Sequence, residues 1–160
     1  MRLTRAAEYA IRCMIYLARL GPGVLASRQE IADSAGIPPH FLAKIAQNLA
    51  KAGFIEIRQG ARGGFMLRQD PAAITLLGVV ETMIGEIYLN DCIGRPATCQ
   101  ASYQCAVHRI WLDARDQLRN TLRQVNFDQL IKDDSCLPPY REALIQSRAA
   151  DITETSVDVH

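Results

Sequence analysis

The chain has 160 residues, 49% of them hydrophobic and 22% charged, a composition typical of one globular domain with room for an appendage. No apolar run is long enough to span a membrane, and charged residues interrupt the apolar stretch near the N-terminus at helical spacing, so we expect a cytoplasmic protein without a secretory signal or a membrane partner. The net charge is +1, but the charges are unevenly distributed. Residues 1–70 hold ten Lys or Arg against five Asp or Glu, whereas the second half is acidic. This asymmetry favours a polyanionic partner for the first half, unless it arises by chance.

The first predicted element is an amphipathic helix from Thr4 to Leu20. Its apolar positions recur every three or four residues, as expected for one buried stripe: Ala7, Ala10, Ile11, Met14, Ile15, Leu17 and Ala18. Thr4 is a suitable N-cap, and Gly21 followed by Pro22 ends the helix.

Two shorter helices follow, joined by a turn that contains Gly36. Ser27 and Glu30 have the spacing of a capping box and open a helix that runs through Ser34. The next helix is expected over residues 39–52. Its outward face is polar and basic: His40, Lys44, Gln47, Asn48 and Lys51. This arrangement is that of a helix-turn-helix, although a plain three-helix core with a solvated face has the same pattern.

A glycine-rich hairpin is predicted directly after these helices. Its strands are Ile55–Arg58 and Phe65–Arg68, and the loop between them holds Arg62 among three glycines. A loop with an arginine and little bulk can enter a minor groove or lie along phosphates, so the hairpin has the properties of a wing. The order of elements therefore predicts a mainly α, winged helix-turn-helix fold that binds double-stranded promoter DNA. The predicted DNA contacts are Arg2, Ser27, His40, Lys44, Gln47, Arg58, Gln59 and Arg62.

The second half begins with a short helix from Leu76 to Ile84 and continues through an aperiodic loop. A long amphipathic helix then starts at about Ala106, with apolar residues recurring as far as Val125. Its stripe could pack on its own domain, but pairing with a second copy would make a homodimer with two DNA half-sites. We therefore divide the chain into a winged-helix domain (1–85), a cysteine loop (86–105), a dimerisation helix with its following segment (106–132) and a disordered tail (133–160).

The loop carries three of the five cysteines, with the pattern C-x6-C-x5-C-x2-H formed by Cys92, Cys99, Cys105 and His108. Three thiolates and one imidazole are good ligands for a soft metal centre. Structural zinc sites usually contain a C-x2-C pair, which is absent, whereas wider spacing suits the two irons of a [2Fe–2S] cluster. Zinc, and three cysteines without a metal, remain alternatives.

Several segments together resemble the Rrf2 family of bacterial regulators over roughly residues 1–132. They are Met1–Thr4, Tyr9–Arg12, Ala32–Ile37, the wing Gly60–Phe65, and Ile74–Leu76 followed by Val79 and Val80. The segment Cys105–Trp111 is most similar to the family's regulators of iron–sulfur assembly. This resemblance implies a repressor or activator of genes for cluster biogenesis or stress. It also implies a homodimer with intertwined long helices and a [2Fe–2S] cluster on Cys92, Cys99, Cys105 and His108. The sequence shows no phosphate loop, hydrolase motif or Cys–His pair with a supporting acid, so we expect neither an enzyme nor a small organic substrate.

Three departures from the family pattern keep alternatives open. The first cysteine interval is one residue longer than usual for the iron–sulfur assembly regulators. Glu8 stands where relatives that sense nitric oxide or redox state carry an acidic ligand, so it is a rival fourth ligand that would bring a [4Fe–4S] cluster into consideration; its other interpretation is a solvated charge. The wing has Gln59 before Gly60, where the family has Arg, which puts the expected base contact in doubt. A cluster-free Rrf2-type repressor and a zinc-binding interaction protein remain the competing hypotheses.

Overall fold

The computed structural model describes residues 4–99 and 104–132, and the predicted contact Arg2 and the predicted tail 133–160 lie outside these ranges. The described helices are α1 (Arg5–Leu20), α2 (Arg28–Ala35), α3 (Pro39–Lys51), α4 (Leu76–Ile84), α5 (Asp91–Gly94), α6 (Ala106–Gln124) and α7 (Phe127–Lys132). The strands are β1 (Ile55–Arg58) and β2 (Gly64–Leu67), and short 3-10 turns span Pro71–Ala73 and Pro96–Thr98. This architecture confirms the predicted mainly α, winged helix-turn-helix class.

Local capping explains where the first helices begin. The Thr4 hydroxyl accepts a hydrogen bond from the Ala7 amide at 3.3 Å and caps α1. Both halves of the predicted capping box are present at α2: Ser27 accepts from the Glu30 amide at 3.3 Å, and the Glu30 carboxylate accepts from the Ser27 amide at 3.3 Å. Gly36 ends α2 in the left-handed conformation with φ +64°, which lets the chain turn sharply into α3.

The wing is an antiparallel pair in which Ile55 lies opposite Leu67 and Arg58 opposite Gly64. The second strand therefore starts one residue earlier than predicted. The segment before α2 also pairs with it, since the Ala26 amide donates to the Phe65 carbonyl at 2.9 Å and the Phe65 amide donates back at 2.8 Å. A Cβ at Gly64 would overlap the Ala26 carbonyl, so this close approach requires glycine. The wing is thereby joined to the entrance of α2.

The core lies between α1, α3, α4 and the base of the hairpin. Its largest fully buried side chains include Met14, Leu17, Leu42, Leu49 and Ile55. Phe127 of α7, which the sequence analysis did not single out, is also fully buried there. Cys13 and Tyr16 widen the buried face of α1 beyond the predicted stripe, whereas Ile11 is only half-buried.

The long helix α6 differs from the others because it has no buried residue. Leu118 and Leu122 near its C-terminal end pack against a small cluster formed by Leu77, Val80 and Ile87. Toward its N-terminus the apolar stripe is exposed: Val107 by 50%, Ile110 by 62% and Trp111 by 37%. None of the described helices combines the length and apolar character needed to cross a membrane.

Candidate DNA interface and cysteine loop

The outward face of α3 is solvent-exposed, as predicted for a recognition helix. The exposed side chains are His40, Lys44, Gln47 and Lys51, while Asn48 is half-buried. The opposite face of α3 anchors the helix in the core through Leu42, Ile45, Ala46 and Leu49. Because one face is buried and the other is polar and basic, α3 can present hydrogen-bonding groups to base edges without losing its support.

A cleft of about 520 Å³ runs between the start of α2, the outward face of α3 and the first strand of the wing. It is lined by three of the predicted DNA contacts, Gln47, Arg58 and Gln59, together with Arg28, which the sequence analysis did not identify. Arg28 is the first residue of α2 and is exposed. Helical periodicity alone could not assign it to this cleft, because the other wall belongs to a strand 30 positions later.

The wing brings arginines to the surface with little surrounding bulk. Arg58, Gln59 and Arg62 are exposed. Gly60 has φ +108°, a conformation that favours glycine, and a Cβ at Gly63 would overlap the Arg58 carbonyl. The backbone conformation at Gly60 and the close approach at Gly63 therefore keep the loop narrow, and Arg62 lies at its tip.

Ser27 has a structural role in addition to its predicted contact with DNA. Its hydroxyl caps α2, and the Glu30 carboxylate that completes the capping box also accepts a hydrogen bond from the Tyr16 hydroxyl at 2.6 Å. A capping hydroxyl can still donate its own proton, so the capping role does not exclude a phosphate contact.

The described part of the cysteine loop, residues 86–99 and 104–105, contains short regular elements that its lack of periodicity did not indicate. Cys92 lies in the short helix α5, Cys99 follows the 3-10 turn, and Cys105 is the N-cap residue of α6. Gly94 packs against Tyr88, and a Cβ there would lie 2.8 Å from the tyrosine ring. The loop is also tied to α6 by ion pairs, with Arg119 Nη1 2.7 Å from Glu86 Oε1.

The predicted metal ligands have suitable chemistry but are not gathered around one point. Cys92, Cys99 and Cys105 carry free thiols and are half-buried. The Nδ1 atom of His108 is buried and has no hydrogen-bond partner among the described residues. Within residues 4–99 and 104–132, no three side chains of His, Cys, Asp or Glu form a group that could hold a metal ion.

Glu8, the rival fourth ligand, is an exposed residue on α1. Its carboxylate forms an ion pair with Arg12 one helical turn later, and Arg12 lies 5.9 Å from the ring centroid of Tyr9. The carboxylate is therefore already matched by a cation within its own helix.

Comparison with known proteins identifies the family. The model of the Rrf2 family, described as an iron-dependent transcriptional regulator, matches residues 3–133. A protein of Aquifex aeolicus named as a helix-turn-helix-type transcriptional regulator is 32% identical over 134 residues, which are 82% of this chain and 92% of that protein. The regulator IscR of Yersinia pseudotuberculosis is 27% identical over 140 residues, covering 86% of this chain and 83% of IscR.

A solved structure has the same fold. CymR, the global cysteine regulator of B. subtilis, superposes with a TM-score of 0.66 at 23% identity, over 84% of this chain and 99% of CymR. The family match spans most of the chain and includes the helix-turn-helix, the wing and the cysteine loop. The chain therefore belongs to the Rrf2 family, whose members are DNA-binding transcriptional regulators and not enzymes.

Proposed function

We propose that this regulator senses iron–sulfur, redox or nitric oxide status through a [2Fe–2S] cluster held by Cys92, Cys99, Cys105 and His108. The observation that carries the proposal is the buried Nδ1 of His108, which has no hydrogen-bond partner among the described residues and lies in the first turn of α6, three residues after Cys105. A buried polar atom without a partner costs about 1–3 kcal/mol, and a metal bond would offset that cost. Such a cluster would supply a reversible one-electron change.

The four ligands lie on segments that can transmit a change at the loop. Cys105 and His108 belong to the start of α6, while Cys92 lies in α5, which contacts α6. Binding at these positions would draw the loop and the helix toward one another. The cluster can shift the equilibrium between two arrangements only if they hold it with different affinity. DNA affinity would then change if the two arrangements also bind DNA with different affinity.

We also propose that α6 pairs with α6 of a second copy to form a homodimer. The exposed stripe of Val107, Ile110 and Trp111 supports this assignment, because an apolar patch of this kind on a regular helix usually marks an interface. Each protomer would then place α3 in the major groove through His40, Lys44 and Gln47. The wing residues Arg58, Gln59 and Arg62, together with Ser27 and the N-terminal Arg2, would contact the backbone or the minor groove.

The cluster assignment is tested by anaerobic purification followed by iron analysis, absorption and EPR spectra. We expect Cys92→Ser and His108→Ala to lose or alter the cluster signal. Cys13→Ser and His40→Ala are matched controls, since they remove the same groups outside the loop, and both should retain it. Identical spectra in His108→Ala and in the parent protein would reject the histidine ligand.

The sensing role is tested by comparing promoter affinity for the cluster-loaded protein, the cluster-free protein and Cys92→Ala at fixed salt. We expect the loaded protein to differ from the other two in affinity or in sequence choice. Equal affinity and equal sequence choice across all three would remove the sensor function while leaving the DNA-binding regulator intact.

The homodimer is tested by sedimentation of Ile110→Glu. A charge in the centre of the exposed stripe should shift the protein from dimer to monomer, because a buried unpaired carboxylate is strongly unfavourable. Arg109→Glu, on a neighbouring exposed position, is the control and should leave the mass unchanged. A dimer that survives Ile110→Glu would place the interface elsewhere.

A cluster-free regulator is the second candidate, favoured by the ungathered cysteines of the described chain. The fold is also that of CymR, named as a cysteine regulator. A colourless, iron-free protein from oxygen-excluded isolation that still binds its promoter would favour this candidate, and zinc in the same preparation would favour a structural metal instead.

A further inference from the structure

The cleft between α2, α3 and the wing brings together two arginines from distant parts of the sequence. Arg28 comes from the start of α2 and Arg58 from the end of β1. A second depression of about 380 Å³ adjoins the first, and Arg28 and Ala43 line both. Arg28 therefore lines both depressions on the surface of the helix-turn-helix.

The chemistry of the cleft suits a phosphate group of a nucleic acid backbone. Its lining contains two guanidinium groups and the side-chain amides of Gln47 and Gln59, and no carboxylate. Ala43 and Gly60 leave space between these groups. Guanidinium groups bind phosphate with paired, charge-assisted hydrogen bonds, and amides can donate to the remaining oxygens.

The two arginines differ in how their charge is balanced. Arg28 has no ion-pair partner among the described residues. Arg58 Nε lies 3.3 Å from Glu56 Oε1, with both side chains about half exposed. An exposed pair of this kind is weak, so a phosphate that also contacts Arg28 can displace the carboxylate.

We infer that Arg28 and Arg58 clamp one phosphate of the DNA backbone in this cleft, and that Glu56 competes for Arg58 until DNA displaces it. The inference rests on the DNA-binding role proposed above and adds Arg28 as a contact and Glu56 as a positioning residue. With one phosphate bound by both arginines, the start of α2 and the wing would be held at the same point of the DNA backbone. This would fix the orientation of α3 in the major groove.

The clamp is tested by fluorescence anisotropy with a labelled duplex of mixed sequence over a range of salt concentrations. Arg28→Ala and Arg58→Ala should each lower the slope of log affinity against log salt by about 1, the value for one lost phosphate contact. Each should also weaken binding about tenfold at low salt. A phosphate contact carries no base information, so both losses should be the same on every duplex.

Arg68→Ala is the matched control for overall charge. Arg68 is an exposed arginine just beyond the far end of β2, and it does not line the cleft. Its removal should leave the salt slope unchanged. A slope reduced as much by Arg68→Ala as by Arg28→Ala would mean that general positive charge, and not the clamp, sets the affinity.

The competition by Glu56 is tested with a double-mutant cycle. Glu56→Gln should tighten duplex binding about two- to fivefold in the parent protein, because Arg58 is no longer held by a carboxylate. In the Arg58→Ala background the same substitution should have less than half that effect on the logarithm of affinity. An undiminished gain would show that Glu56 simply repels DNA, which would overturn the competition.

The outcomes separate this inference from the function on which it rests. If the parent protein does not bind duplex at all, the DNA-binding proposal fails. If the parent binds and both arginine variants keep its slope and affinity, only the clamp fails. All four sites are exposed or half-buried, so the variants should keep the urea midpoint of the parent protein, which verifies that folding is not the cause.

Discussion

The N-terminal helical core and α6 are both amphipathic, but they bury their apolar residues very differently. In α1, Cys13 through Ala18 are all buried, and α3 buries Leu42, Ile45, Ala46 and Leu49. In α6, nineteen residues long, no residue is buried and Ile110 is 62% exposed. Equal amphipathicity therefore does not mean equal packing within one chain.

This difference indicates how the two regions are stabilised. The helical core, together with the base of the wing and α7, buries its apolar side chains within one chain. Its free energy of unfolding should therefore not depend on protein concentration. The N-terminal part of α6 leaves its stripe exposed, and if α6 pairs with a second copy as proposed, its stability should depend on protein concentration. The cysteine loop lies between these two regions.

The largest expected effect comes from comparing a leucine in each region. Leu49→Ala removes a fully buried side chain and should lower the free energy of unfolding by about 2–5 kcal/mol. Leu118→Ala removes a half-buried leucine of α6 and should cost about 1 kcal/mol at concentrations where the chain is monomeric. Urea denaturation measures both. Equal losses would contradict the distinction between the regions.

A pH dependence of stability is expected from Cys13 in the core. Burial raises the pKa of the Cys13 thiol from 9.0 to about 12. The unfolded chain therefore releases this proton at lower pH than the folded chain, so the stabilisation is complete below pH 9 and is lost as the pH rises from 9 toward 12. By pH 10 the loss should be about 1.4 kcal/mol.

The control for this effect is Cys13→Ala, which should be less stable at neutral pH but should lose about 1.4 kcal/mol less between neutral pH and pH 10. Unfolding free energies under reducing conditions provide the comparison. Parallel stability curves for the two proteins would mean that Cys13 ionises in the folded state as it does in the unfolded chain.

A smaller change in the free energy of unfolding is expected when side-chain hydroxyls are removed from α2 and α6. Ser27→Ala removes the cap of α2 and should cost about 1 kcal/mol. Thr121→Ala is the counterpart in α6, where the exposed hydroxyl donates to the Gln117 carbonyl at 3.0 Å without capping anything. It should change the unfolding free energy by less than about 0.5 kcal/mol. If the two substitutions cost the same, the capping box does not stabilise α2.

The smallest expected effect concerns Glu8. Its pairing with Arg12 is an exposed contact between residues four apart, so Glu8→Gln should lower stability by only about 0.3–0.5 kcal/mol. Iron content after anaerobic purification should stay the same if His108 is the fourth ligand. A large loss of iron with unchanged stability would instead make Glu8 the ligand and would link α1 directly to the cluster.

Local signals explain why much of the helical core was predictable from the sequence. The start of α1 at Thr4, its end at Gly21, and the capping box at Ser27 and Glu30 each depend on residues within one or two turns. The hairpin was predictable for the same reason, since its glycines and alternating strands lie close together. The family resemblance rested on these segments and was confirmed over residues 3–133.

Contacts between distant segments could not be predicted from such local sequence signals. The burial of Cys13 and Phe127, the pairing of Ala26 with Phe65 and the cleft shared by Arg28 and Arg58 each depend on parts of the chain that periodicity treats separately. The short helix α5 was also missed, because four residues do not establish a period.

The sequence alone determined the order of helices and wing, and it selected Cys92, Cys99, Cys105 and His108 by type and spacing. The tertiary structure decided which polar groups are buried without a partner, which apolar stripe stays uncovered and which arginines share a cleft. The physical reason is that caps, turns and periodicity act over a few residues, whereas burial and charge balance depend on what the rest of the chain places nearby.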